Sequence, residues 1–223
     1  MGVRVPNLLL ARSLIRHATV PIAAPSANRS NGVSPTLASH VLSDLNGYVD
    51  LILDGGPCRF GLESTVLDLS QEPPRLLRPG ILRKSDLERT LGRPIATGPR
   101  ITEEASALSS PGQLPLHYSP RTRTLRVPLD ALDDWSDEVC QGCRFAIMNL
   151  GHAPEAIGDR GRFRVHYASA DEAERNLYAK LREWDDADLD RILIVPPPDV
   201  EGWAAVRDRI WRATGGRTSD REE

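Results

Sequence analysis

Beyond Thr122 the sequence alternates short aliphatic runs with amphipathic stretches, and this pattern constrains the fold more than any other feature. Strands are predicted at 124–129, 144–150 (RFAIMNL), 163–167 (FRVHY) and 191–195 (RILIV). Helices are predicted at 131–140, from Ser169 through Trp184, and at 203–213. Ser169 suits an N-cap, and Asp171 and Glu172 put negative charge on the first turn, where the helix dipole favours it. Pro196-Pro197-Pro198 stops the last strand. Strands alternating with helices imply a small α/β domain with a mostly parallel sheet. It carries no G-x-G-x-x-G, so nothing marks it as a dinucleotide site.

The first half is organised around Val20 to Thr36, VPIAAPSANRSNGVSPT. Val20 to Ala24 predicts a short buried strand, and Pro25 breaks it into a loop of short hydroxyl and amide side chains. Ser34 is placed to cap a helix whose first turn holds Pro35. A strand, a polar loop and a helix N-terminus in that order suit an anion, above all a phosphate. Loops of this composition that bind nothing are common, so the pattern is weak by itself.

Around that loop the spacing predicts helices over 7–17, with Pro6 at its start, and over 36–45. A short strand is predicted at Leu51 to Leu53, and a hairpin between 64–69 and 75–78. Antiparallel pairing would bring Ser64 beside Arg78. Ser85-Asp86-Leu87-Glu88 reads as a capping box opening a helix that ends at Leu91-Gly92.

Residues 97–121 are rich in Pro, Gly, Ser and Thr and read as an interdomain linker. The expected division is 1–96, linker 97–121, second domain 122–214 and a disordered tail 215–223. Leu116-His117-Tyr118 is unusual for an inert spacer and predicts that the linker packs on something. The three cysteines form no disulfide framework; Cys140 and Cys143 have C-x-x-C spacing but no second pair, so free cytosolic thiols are the better reading than zinc. A net charge of -3 gives no global attraction to nucleic acid or membrane. No apolar run approaches the roughly 20 residues that cross a bilayer. The first residues, MGVRVPNLLLARSLIRH, read as an amphipathic helix and not as a signal peptide, so a cytoplasmic location is expected.

Several stretches together resemble one family. AAPSANRSNGVSPT, LILDGGPCRFGLESTVLDL, LLRPG and SPGQLPLHYSP are similar to the Sua5/YrdC/YwlC family, and LYAKLREWDD and WAAVRDRIWRA to the second domain of its longer Sua5 branch. The resemblance implies an α/β chain: part of a YrdC-like twisted mixed-sheet domain, followed by a small Rossmann-like Sua5 domain. It implies synthesis of L-threonylcarbamoyladenylate and pyrophosphate from ATP, L-threonine and bicarbonate, with Mg2+ accompanying the ATP. The product would pass to the machinery that makes t6A in tRNA.

Carried over by motif, Ser26 and Asn28 would contact ATP, with Ser34 near the phosphates and Arg78 also on the nucleotide. His117 and Tyr118 of the linker would reach the same ligand, while Arg4, the backbone at Ala24, and Ser64 would line the threonine side. No protein nucleophile and no protein-held metal is implied. In the family a K-x-R motif and a T-V-Y-G-L segment precede the position of Arg4, so this chain is expected to be an N-terminally truncated member. Two other readings stand beside the enzyme: a non-catalytic nucleotide- or RNA-binding YrdC-like remnant whose Arg4, Arg29, Arg59 and Arg78 serve RNA phosphates, and one half of a split enzyme.

Overall fold

The computed structural model describes residues 2–98, 117–132, 142–158 and 163–216. In chain order it holds α1 (Leu9–Ala18), α2 (Ala38–Leu45), β1 (Val66–Asp68), β2 (Arg75–Arg78), α3 (Lys84–Leu91) and β3 (Ala96–Thr97). These are followed by β4 (Arg123–Arg126), β5 (Phe145–Leu150), β6 (Phe163–Tyr167), α4 (Ala170–Asp185), β7 (Arg191–Val195) and α5 (Ala204–Ala213).

The predicted hairpin forms, with Val66 paired to Arg78 and Asp68 to Arg75, and β3 adds in parallel to β2, so the first sheet is mixed. The second sheet is wholly parallel in the order β4-β7-β5-β6. Its two central strands, β5 and β7, are buried on both faces, which is why their sequences, apart from Asn149 and the opening Arg191, are apolar with no alternation. Ser169 caps α4 by accepting from the Glu172 amide, as predicted.

Both α4 and α5 cover one face of this sheet. Leu177, Tyr178 and Leu181 of α4 and Val206 and Ile210 of α5 pack there with Ala146, Met148, Ile192 and Ile194. The same cluster continues into Val33 and Leu62 of the first half and Tyr118 of the linker. The helices are thus shared between the second sheet and the segments that carry the candidate site.

Several local expectations are corrected. Residues 20–24 and 51–53 are not strands; Val20 is 58 % exposed and Leu51 75 %. A strand exists only through the partners of its backbone groups, and no described strand pairs with either run. Ser34 caps no helix: α2 begins at Ala38, and the Ser34 hydroxyl is drawn instead to Glu63. The capping box at Ser85 does not form, because α3 begins at Lys84 with Arg83 at the N-cap, two residues ahead of Ser85, and the Glu88 carboxylate accepts from the Ile95 amide. The first helix is present, but none of its residues is fully buried, and Leu8, Leu9, Leu10 and Leu14 stay exposed.

The predicted helix at 131–140, apart from its first residues, lies outside the described residues, as do Cys140, most of the linker and most of the tail. Among the described residues no helix is long and apolar enough to cross a membrane.

Candidate functional site

Two short turns and one linker segment bring the candidate residues together. The first is the exit of β2. The Arg78 guanidinium, buried under the sheet edge, donates to the Ser64 carbonyl through Nη2 at 3.0 Å and Nε at 3.2 Å. Its Nη1 donates to the Tyr118 hydroxyl at 3.4 Å. Antiparallel register alone put Ser64 and Arg78 at the same end of the hairpin, and the structure has them in contact.

This junction is packed to the limit. A Cβ on Gly80 would lie 2.4 Å from the Thr65 nitrogen and 2.8 Å from the Ser64 carbonyl carbon. Only glycine lets the chain leaving Arg78 press on the Ser64–Thr65 backbone. Gly61, just ahead of Glu63, permits a similar close approach to α4. Its amide donates to the Glu174 carbonyl at 2.9 Å, and a Cβ there would meet the Arg175 carbonyl oxygen at 3.0 Å.

The second turn is the polar loop. Asn28 Nδ2 donates to the Gly32 carbonyl at 3.0 Å and to the Arg29 carbonyl at 2.8 Å, curling the loop upon itself. The Asn31 carbonyl accepts from the Ser119 amide at 2.9 Å, which ties the loop to the linker one residue past Tyr118. Arg182 of α4 donates to the carbonyls of Val33 and Ser34 and pairs with Asp44 of α2. The loop is therefore held by the linker and by α4 as well as by its own bonds.

His117 and Tyr118 are not spacer. Tyr118 is 2 % exposed, edge-on to His117 with ring centroids 4.0 Å apart and 5.6 Å from the Tyr178 ring. The His117 amide donates to the Arg212 carbonyl at the end of α5. Burial lowers the His117 pKa; Glu63 opposes this and Arg212, Arg78 and Arg209 add to it, so the imidazole is neutral at pH 7. Among the described residues, His117 Nδ1 and Asn28 Oδ1 are buried without a hydrogen-bond partner.

At the centre sits a residue that motif reasoning missed. The Glu63 carboxylate accepts from the Ser34 hydroxyl at 2.6 Å through Oε1, and from the Tyr178 hydroxyl at 3.0 Å and Arg209 Nε at 2.8 Å through Oε2. Burial pushes its pKa up, but Arg209 and the Ser34 hydrogen bond outweigh this and hold it below the ordinary carboxylate value. Burial likewise disfavours the Arg209 charge, yet the tyrosines and carboxylates around it keep its pKa above the usual arginine range.

Of the predicted site residues, Ser34, Ser64, Arg78, His117 and Tyr118 are joined directly or through Glu63, and Asn28 through its loop. Ser26 lies on the exposed entry of that loop. Arg4 and Ala24 are solvent-exposed and are not drawn into the hydrogen-bonded cluster. One signal could have found Arg209: it stands in the buried stripe of α5 with Ala205, Val206, Ile210 and Ala213, where a charge needs a partner.

A family model described as "Telomere recombination" matches residues 1–80, and one described as "Threonylcarbamoyl-AMP synthase, C-terminal domain" matches 82–215. Threonylcarbamoyl-AMP synthase of Bacillus subtilis is 34 % identical over 97 % of this chain, and that of Pyrococcus abyssi is 34 % identical over 97 %. The chain spans 64 % of the length of each of these relatives. The crystal structure of P. abyssi Sua5 complexed with L-threonine superposes with a TM-score of 0.81 at 32 % identity, over 96 % of this chain and 64 % of that one. A second P. abyssi Sua5 structure, with a histidine and the tyrosine after it replaced by alanine, gives 0.77 at 31 % identity, over 96 % and 63 %.

Proposed function

Because the chain belongs to the Sua5/YrdC family, we propose that it serves the synthesis of L-threonylcarbamoyl-AMP from ATP, L-threonine and bicarbonate, in the cytoplasm, for the t6A modification of tRNA. In this reading residues 1–96 hold the substrates and 122–214 form the second domain. The threonine amine takes up the bicarbonate carbon with loss of water, and a carbamate oxygen displaces pyrophosphate from the α-phosphorus.

Such a displacement calls for positioned donors and neutralised charge more than for a protein nucleophile. The observation that carries the reading is that Arg78 donates to both the Ser64 carbonyl and the Tyr118 hydroxyl, while Ser119, next in the chain, donates its amide to the Asn31 carbonyl. These bonds draw hydroxyl, amide and guanidinium groups from three separate segments to one place. Ser26, Asn28, Ser34, Arg78, His117 and Tyr118 would serve ATP; Arg4, Ala24 and Ser64 would serve threonine. The unpartnered His117 Nδ1 and Asn28 Oδ1 are polar atoms for which a bound ligand would supply a hydrogen-bond partner after a small rearrangement. The adjacent His–Tyr pair altered in the P. abyssi protein supports the weight placed on His117 and Tyr118.

A resident magnesium site does not fit these residues. Among the described residues no three His, Cys, Asp or Glu side chains gather to hold a metal ion, and both Glu63 oxygens are engaged by Ser34, Tyr178 and Arg209. A magnesium ion would enter on ATP's triphosphate, and the charge supplied by the protein is arginine.

The test is calorimetric titration of the full chain with ATP and with L-threonine, followed by a pyrophosphate assay with bicarbonate present. Saturable binding of both ligands is expected, with pyrophosphate release that requires all three substrates. Failure to bind either ligand overturns the proposal.

A further inference from the structure

Resting on that reading of the site, we infer that Arg209 of the second domain is a positioning residue for the substrate-binding segments of the first, acting through Glu63 with Tyr178 as its second hold.

Arg209 is fully buried and reaches out of α5 to three separate segments. Its Nε donates to the Glu63 carboxylate at 2.8 Å, and its Nη2 donates to the Pro79 carbonyl at 3.0 Å and the Glu63 carbonyl at 3.4 Å. Its guanidinium carbon lies 5.5 Å over the Tyr118 ring. Each contacted residue is the chain neighbour of a candidate ligand contact: Glu63 precedes Ser64, Pro79 follows Arg78, and Tyr118 follows His117. One planar fork therefore fixes the separation of the two ends of the hairpin and the depth of the linker against them. Glu63 passes the constraint on to Ser34, whose hydroxyl it accepts.

Stability alone does not account for this arrangement. The cost of taking a charged pair out of water is offset only incompletely by its attraction, and well-packed apolar side chains of similar volume are often as stable. A guanidinium, however, offers several donors at fixed angles, which no apolar residue provides. The near neighbour Asp208 pairs with Arg209 Nη1 and also with Arg212, so the fork is itself held in orientation. The second domain, in this view, is a jig for the site as well as a cover over it.

The full chain is compared with Arg209→Lys, Glu63→Gln and Tyr178→Phe by amide hydrogen exchange and by ATP titration. Exchange in residues 62–66 and 76–80 should accelerate at least tenfold in Arg209→Lys and Glu63→Gln, and less in Tyr178→Phe. Strands 145–150 and 191–195 should be unchanged, and ATP affinity should fall in the same rank order. Acceleration spread evenly over both sheets, or none at 62–66 and 76–80, overturns the inference in favour of a purely structural pair. Should Arg209→Lys fail to fold, Tyr178→Phe, which removes one hydroxyl and leaves the ring, decides by the same pattern. If the unaltered chain binds no ATP, the functional reading fails, and the exchange pattern still decides whether Arg209 sets the geometry of the hairpin ends.

Discussion

Gly80→Ala tests how closely the candidate site depends on one backbone contact. The added methyl would lie 2.4 Å from the Thr65 nitrogen, 2.8 Å from the Ser64 carbonyl carbon and 2.8 Å from Thr65 Oγ1. Two of these three are backbone atoms, so no rotamer change clears the clash, and the strands must separate by about 1 Å to restore ordinary contact distances. Overpacking of this kind costs about 1–3 kcal/mol. The upper half of that range applies, because β1 and β2 are short and Arg78 must follow Pro79 away from the Ser64 carbonyl. About 2–3 kcal/mol corresponds to a roughly 30- to 150-fold shift in the folding equilibrium. The measurement is urea unfolding by circular dichroism, with Gly202→Ala as the control, since nothing lies within 4 Å of a Cβ there. ATP affinity should fall in Gly80→Ala and stay level in Gly202→Ala. If the two variants unfold within about 0.5 kcal/mol of each other, and Gly80→Ala binds ATP normally, the junction is not packed as described and the reasoning fails.

Tyr118→Phe removes an acceptor of Arg78 Nη1 but leaves the ring between His117 and Tyr178; a loss of about 0.5–1.5 kcal/mol in ATP binding is expected by calorimetry, with the melting temperature little moved. Gly61→Val pushes the segment off α4 and breaks the Gly61 and Leu62 bonds to the Glu174 carbonyl; urea unfolding should show about 1–3 kcal/mol of destabilisation, and an unchanged midpoint would contradict the close approach. Stability should also decline in acid through Glu63. Its folded pKa is below the ordinary 4.5, so below that value the unfolded chain takes up the proton first, and the contribution, complete above about pH 4.5, is lost as pH falls through the folded pKa. Urea midpoints compared at about pH 6 and pH 3.5 should drop more steeply for the unaltered chain than for Glu63→Gln; equal drops would count against the paired carboxylate.

The elements read correctly from the sequence are those whose causes are local or whose partner is adjacent. Alternation over a parallel sheet, the Ser169 cap and the β1–β2 hairpin need only a few residues of context, and from the hairpin the meeting of Ser64 with Arg78 followed by geometry. Misreadings arose where a distant partner claimed a group that local rules had assigned elsewhere. Ser34 satisfies every requirement of a helix cap, yet a carboxylate 29 residues away captures its hydroxyl. Glu88 sits at the capping-box position, yet the Ile95 amide holds it. Val20 to Ala24 has the composition of a strand and lacks one, since composition cannot supply a neighbour. Glu63 was invisible for the same reason: its donors Tyr178 and Arg209 come from 115 and 146 residues further along the chain, on helices read as packing elements. What remained legible was an inconsistency, a lone arginine in the apolar stripe of α5. A buried charge demands a counter-charge, and the first half of the chain was the place to look for it.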